Sequence, residues 1–416
     1  MRYYKNSINS INANILIRMS KVRFGSFCVK EEQDTRTTKP HVLPIYATSS
    51  FDFEDIQEGI EIFKGNKEGH VYGRYGNPTV NTIENKLAKL EVFGSDDQAA
   101  AVMFSSGMSA ISTLLISCLK AGDKVLTQGN IYGGTTELFV KVFANFQVQT
   151  ILTDLSDMDQ LENIIKQDPT IKMIYFETPA NPSMACIDIA KVVEIAKQHD
   201  LITVADNTFC TPYLQQPLNM GTDFVLHSTT KYLNGHGNGI AGVVVSKDIE
   251  FMKSKVWTNM KLLGTNSNPF DAWLVNSGLK TLELRMDRHC DNAMQVATFL
   301  QDHPKVAYVN YPGLKAHTHH DIAAGQMSQF GGMLSFELKD GLDAGLQFMN
   351  NIRFCTLAPT LGDVDTLVLH PASSSHINID KEIRKANGIT DGLVRLSVGI
   401  ENVEDIIEDL ARGMGD

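Results

Sequence analysis

No apolar run in this chain reaches the about 18 consecutive residues that a bilayer-spanning helix needs, which excludes an ordinary transmembrane segment. Basic residues are in the minority: 37 Lys and Arg stand against 48 Asp and Glu, a formal net charge of −11. An acidic chain with no long basic stretch lacks the electrostatics for nucleic acid or an anionic membrane surface. Cysteine is sparse. Its six positions (Cys28, Cys118, Cys186, Cys210, Cys290 and Cys355) include no Cys-x-x-Cys pair and no histidine at ligand spacing. That excludes an obvious zinc site and points to inert thiols in a reducing compartment, so a cytoplasmic location is expected. Acidic side chains are missing from the first 30 residues, which carry Arg2, Lys5, Arg18, Lys21, Arg23 and Lys30. Such a composition suits an organelle transit peptide. It also suits a disordered arm, or an upstream extension of a chain that begins at Met19. Residues 1–20 are therefore expected to be disordered or absent from the mature chain.

What the chain has in quantity is α/β alternation. Its 416 residues are 43% apolar, enough for a large core in two or three domains. Short apolar runs predict strands at 99–104, 123–126, 147–152, 171–176, 201–205, 224–227 and 239–246. Helical periodicity fills the intervals at 80–90, 109–119, 135–146 and 187–198. Helices between short buried strands predict parallel βαβ crossovers and a sheet covered on both faces. The rhythm changes after about residue 250. Pro269-Phe270-Asp271 reads as a helix start, a long helical pattern runs through 285–300, and 306–311, 333–338 and 392–398 read as strands. The expected organisation is an N-terminal arm over 1–64 with little regular signal, a large domain over 65–260, and a smaller α/β domain over 261–416.

Ligands of open parallel sheets bind at the carboxyl ends of the strands, and the chemistry-bearing residues fall there. Lys231 follows the strand 224–227 within His227-Ser228-Thr229-Thr230-Lys231 and precedes a Gly-rich turn. A lysine so placed suits a Schiff base with an aldehyde cofactor, with Ser228 and Thr230 offering hydroxyls to its phosphate. A surface lysine in a polar loop is the plainer alternative. The Ser106-Gly107-Met108 turn joins a strand to a helix, so its backbone N–H groups and the helix dipole form an anion site. Asp206 ends a strand directly before Asn207-Thr208. It reads either as a turn or cap residue or as the carboxylate partner of a protonated pyridine nitrogen. Tyr132 could lay its ring on a flat cofactor. Tyr72 and Arg74 offer a hydroxyl and a guanidinium to a phosphate. Arg395 interrupts an apolar strand, where a buried arginine needs an anion: a substrate carboxylate or a structural salt bridge.

Together these segments resemble the pyridoxal-phosphate enzymes of cysteine and methionine metabolism, over about Pro44 to Leu410. That family includes cystathionine γ-synthase, the cystathionine lyases, methionine γ-lyase and O-acylhomoserine sulfhydrylase. The resemblance implies an aspartate aminotransferase-like fold (fold type I) with pyridoxal 5'-phosphate bound covalently to Lys231. It implies Lys231, Tyr132 and Asp206 as the catalytic set: Lys231 also shuttles protons, Asp206 partners the ring nitrogen, and Tyr132 stacks on the ring and can act as a base. Gly107, Met108, Ser228 and Thr230 match its phosphate-binding set, with Thr208 in the same cofactor shell. Tyr72 and Arg74 match residues that reach the phosphate of a neighbouring subunit, which implies a homotetramer built from active dimers. Arg395 matches the grip on the substrate carboxylate; Asn181, on the cofactor hydroxyl side, and Thr360, near the lysine amine, complete the set that binds cofactor and substrate. Relatives often carry Ser at the Thr360 position. The implied reaction is γ-elimination or γ-replacement on cystathionine or an O-acylhomoserine.

Within the family the residues divide. Methionine γ-lyases typically carry Cys where this chain has Gly134, and Lys-Asp where it has Lys261-Leu262. Those departures favour cystathionine chemistry. Pro359, where some cystathionine lyases are acidic, and the stretch from Leu361 to Ala372 instead resemble methionine γ-lyases and sulfhydrylases. A catalytically silent scaffold that binds the cofactor is the alternative from another class, and the complete Lys, Asp, Tyr and Arg set argues against it.

Overall fold

A computed structural model describes residues 22–30, 40–377, 381–386 and 388–416. The expectations for residues 1–20 lie outside them. Among the described residues, twelve strands form two sheets. The first contains β1 (Ala100–Phe104), β2 (Lys124–Thr127), β3 (Gln149–Leu152), β4 (Ile171–Glu177), β5 (Ile202–Asp206), β6 (Phe224–Ser228) and β7 (Gly242–Ser246), in the order β1-β7-β6-β5-β4-β2-β3. The run from β3 to β6 is parallel. β7 departs from the all-parallel expectation, pairing antiparallel with both β1 and β6. It follows β6 through a helix-free loop, whereas a parallel return ordinarily needs a helical crossover.

The inner parallel strands serve two cores. On β6, Phe224 and Leu226 face one apolar cluster and Val225 faces the other. Burial on both faces is why these strands read as continuous apolar runs and not as alternating ones. Helices cover the sheet. One of them spans Pro78–Glu91 and starts at Asn77, whose side chain accepts from the Thr79 N–H, with proline in the first turn. The second sheet holds β8 (Val306–Asn310), β9 (Met333–Leu338), β10 (Thr356–Leu357), β11 (Leu367–Leu369) and β12 (Leu393–Ser397), in the order β10-β11-β12-β9-β8. A 21-residue helix, Leu282–Asp302, joins the two parts. Leu282 and Met286 at its start belong to the core of the large sheet, while Val296 and Leu300 near its end belong to that of the small one.

Two helix expectations need correcting. The arm contains helices at Phe24–Val29 and Ile56–Phe63, where the sequence gives little regular signal. The segment 135–146 is not one α-helix. It runs from an α-turn at Gly133–Glu137 through a π-helical turn at Leu138–Val142 to a 3-10 turn at Phe143–Phe146. Phe139 and Phe143 stay buried across the change of pitch, so the apolar face that predicts a helix is real while the helix type along it is not uniform. Among the described residues no helix is long and apolar enough to cross a membrane.

Candidate active site

β4, β5 and β6 end side by side at Glu177, Asp206 and Ser228. The loops beyond them and the start of helix α1 (Gly107–Cys118) enclose a cavity of about 230 Å³. Gly107, Met108, Tyr132, Asn181, Asp206, Thr208, Ser228, Thr230, Lys231 and Arg395 all line it. Thr360 stands behind the lysine, its Oγ1 accepting from Lys231 Nζ at 2.8 Å. Tyr72 and Arg74 do not join the cavity. The Arg74 guanidinium donates to the Lys261 carbonyl and lies 5.0 Å from the centroid of the Tyr75 ring.

Close backbone approach shapes the anion side. A Cβ on Gly242 of β7 would stand 2.4 Å from the Ser106 carbonyl oxygen, and one on Gly107 would stand 2.9 Å from Ser228 Cβ. Only glycine at both places lets the start of α1 settle against the ends of β6 and β7. Ser106 caps that helix by accepting from the Ser109 N–H at 3.0 Å, leaving the N–H groups of the first turn directed toward the cavity. Thr230 is less free than its sequence position suggests. Its hydroxyl donates to the Ala241 carbonyl at 3.2 Å and accepts from the Ala241 N–H at 3.1 Å.

Burial sets the electrostatics. Lys231 is pulled down to about 8, first by burial and then by the charge of Arg395, with Asp363 acting in the opposite sense. Arg395 is 6% exposed and falls to about 10 through burial. Its Nη2 donates to the Thr360 carbonyl at 2.8 Å and its Nη1 to Asn181 Oδ1 at 3.4 Å. Among the described residues no carboxylate pairs with it. Asp206 is raised by burial, against which the Thr208 backbone and hydroxyl work; both donate to its Oδ1, at 3.0 and 2.5 Å.

Sequence reasoning missed Glu177. It sits opposite Asp206 in the β4–β5 register, lines the same cavity, and accepts from the Tyr132 N–H through Oε1 at 2.9 Å. The legible signal is an acidic residue closing an apolar strand before Thr178-Pro179, the same pattern that marks Asp206.

The arrangement can bind a flat, anionic aldehyde. It offers an amine of lowered basicity, a helix N-terminus beside the Ser228 hydroxyl for a phosphate, a buried carboxyl for a ring nitrogen, and a half-exposed tyrosine ring at the rim. Pyridoxal phosphate meets each of these groups with a complementary one, so the residues present fit it.

Known proteins agree. Residues 26–415 match the family model described as Cys/Met metabolism PLP-dependent enzyme. An L-methionine gamma-lyase of Fusobacterium nucleatum subsp. polymorphum is 46% identical over 378 residues, covering 89% of this chain and 93% of the relative. A cystathionine beta-lyase of Lactococcus lactis subsp. cremoris is 42% identical over 379 residues, covering 91% and 95%. The solved cystathionine gamma-lyase from Lactobacillus plantarum, complexed with L-serine, superimposes with a TM-score of 0.86 at 38% identity, over 94% of this chain and 98% of that one. Similarity that spans nearly the whole length settles the matter: the chain belongs to the pyridoxal-phosphate-dependent enzymes of cysteine and methionine metabolism.

Proposed function

We propose that the protein is a C–S lyase that eliminates the γ substituent of a sulfur-containing L-amino acid. One observation carries this reading. Thr360 links the two groups that would flank a substrate, accepting from Lys231 Nζ with its hydroxyl and from Arg395 Nη2 with its carbonyl. A substrate gripped by its α-carboxylate at Arg395 therefore presents its α-carbon to the Lys231 amine.

Pyridoxal phosphate, when bound, supplies an electron sink for charge developing at the α-carbon. The chain's own residues do the rest. Asp206 holds the ring nitrogen's proton, and Tyr132 covers one face of the site. Ser228 and the start of α1 hold the phosphate. Lys231 Nζ would remove the α-proton, return that proton to the substrate–cofactor unit, and as a free amine again take a β-proton as the γ thiolate leaves. The thiolate departs protonated, and water hydrolyses the remaining four-carbon unit to 2-oxobutanoate and ammonia.

Methionine is the favoured substrate. The ionisable acidic and basic side chains of the described residues that line the cavity are Glu177, Asp206, Lys231 and Arg395. The last three serve the cofactor or the α-carboxylate, and Glu177 is tied to the Tyr132 N–H. The remaining wall includes Ile111, Phe209, Ile240, Pro359 and Leu361. This chain leaves no charged group for the second amino-acid head of cystathionine, whereas an apolar wall accepts a methyl thioether. Cystathionine, expected from the sequence, is the second reading. It is favoured by Gly134, where a Cβ would stand 2.6 Å from Tyr132 Cε1, so the ring rests where a larger residue would crowd it. The test mixes holoenzyme with L-methionine or with L-cystathionine and identifies the keto acid. We expect 2-oxobutanoate from methionine, with kcat/KM at least about tenfold above that for cystathionine. The reverse preference would establish the second reading. Pyruvate would move the cleavage to the β carbon, and no keto acid from either would reassign the protein to γ-replacement.

A homotetramer of active dimers completes the proposal. Tyr72 and Arg74 stand outside their own cavity, as residues serving a neighbour's phosphate must. Arg74→Ala should raise the cofactor's dissociation constant about tenfold, the loss of one charge-assisted contact, by equilibrium dialysis. A fully active monomer in sedimentation would sink this arrangement.

A further inference from the structure

We propose that Glu177 is a positioning residue, a neutral acid that fastens the Tyr132 loop to the cavity floor and leaves Asp206 as the only ionised carboxyl there. The inference deepens the cofactor site of the proposed function and rests on it.

Two carboxyl groups close this cavity from adjacent strands, Glu177 on β4 and Asp206 on β5, and they are partners in register. Their surroundings differ. Asp206 collects donors: the Thr208 N–H, the Thr208 hydroxyl and, at 3.4 Å, the Tyr175 hydroxyl. Such donors stabilise a carboxylate. The Glu177 side chain accepts one backbone N–H, that of Tyr132, and among the described residues no cation pairs with it. Two buried neighbouring carboxyls do not both ionise readily, so the better-solvated one takes the charge. Burial and the Asp206 charge push Glu177 well above the carboxylate range, in the direction this geometry requires. The titratable groups around it are Tyr175 on its own strand and Asp206 on the neighbouring one, with Tyr132, Lys231 and Arg395 across the cavity.

The contact also fixes a loop. Gln128 donates through Nε2 to the Glu177 carbonyl at 2.7 Å, and the Glu177 N–H donates to Gln128 Oε1 at 3.3 Å. Backbone and side chain of Glu177 thus grip both ends of the segment from Gln128 to Tyr132. A rigid segment holds the tyrosine ring at one height above the floor.

The role separates two variants. In Glu177→Gln a neutral acceptor remains for the Tyr132 N–H, whereas Glu177→Ala removes it. The measurements are cofactor dissociation by dialysis and the circular dichroism of the bound cofactor, which reports the ring beside it. Glu177→Ala should raise the dissociation constant about tenfold, as for one lost hydrogen bond, and alter the dichroic band. Glu177→Gln should restore both and leave the pH titration of the cofactor's absorbance in place. A Gln variant as impaired as the Ala variant would show that the charge is needed. An Ala variant indistinguishable from the unsubstituted protein would show that the contact positions nothing. Failure of the unsubstituted protein to take up pyridoxal phosphate would instead remove the cofactor site itself. Should the Ala variant not fold, the titration of the Gln variant still decides the charge.

Discussion

Lys231→Ala should lower turnover by at least about a thousandfold while the protein stays folded. A general acid–base group contributes about 10²- to 10⁴-fold, and in the proposed mechanism this lysine also anchors the cofactor. Its amine has one hydrogen-bond partner in the site, Thr360 Oγ1, so truncation strands a single hydroxyl able to turn toward the cavity. Circular dichroism of the backbone and steady-state rates together check the outcome; unchanged turnover would overturn the mechanism. The unsubstituted lysine carries a second signature. Only the unprotonated amine attacks an aldehyde, and burial has moved this one from 10.5 to about 8. Capture of pyridoxal phosphate by the apo-protein should therefore rise with pH and level off above about 8. Continued rise toward 10.5 would mark an ordinary exposed lysine.

Arg395→Leu should reduce kcat/KM by at least about a hundredfold, chiefly through KM. Among the described residues the guanidinium has two acceptors, Asn181 Oδ1 and the Thr360 carbonyl, neither of them charged, so it retains donors for a carboxylate. A charge-assisted hydrogen bond is worth about 1.5–3 kcal/mol, and a bidentate grip loses two of them. Stability should move the other way or hardly at all. A buried cation without an acidic partner costs solvation that leucine does not. A variant that melts earlier yet keeps its KM would identify Arg395 as a structural residue.

Much of this was legible because parallel strands buried on both faces announce themselves as short apolar runs. The residues that close those runs, Asp206 and Ser228, then fall at the ligand-binding edge without any further assumption. Glu177 escaped because its meaning lies in register. Only the pairing of β4 with β5 places it beside Asp206, and its one local sign, an acidic residue closing an apolar strand, suits a turn residue equally well. The helix Ile56–Phe63 was readable: Asp55 accepts from the Glu58 N–H, and Glu58 reaches back to the Glu54 N–H, in the manner of a capping box. Phe24–Val29 gave no such sign. Its first residue follows Arg23, which makes no side-chain cap, and the helix is held by packing, with Phe27 and Cys28 buried in the large core. The change of pitch within 133–146 has no proline to mark it, and Phe139 and Phe143, four residues apart, keep the spacing of an ordinary helix face.

The antiparallel strand β7 has a consequence for how the protein is made. Among the described residues β7 is the one strand that pairs with β1, with a single further bridge from Phe104 to the still later Asn266, so residues 100–104 wait for their strand partner until residues 242–246 have left the ribosome. The turn at Ser106-Gly107, proposed to hold the phosphate, leans on Gly242 of that late strand. A nascent chain therefore carries an unpaired apolar strand, Ala100-Ala101-Val102-Met103-Phe104, all the while that residues 105–241 are being made. Unpaired edges of this kind invite association with other chains, and closing such a long loop is slow. The same late strand that ends this exposure also seats the Ser106-Gly107 turn, so the sheet edge and that side of the cavity are completed together.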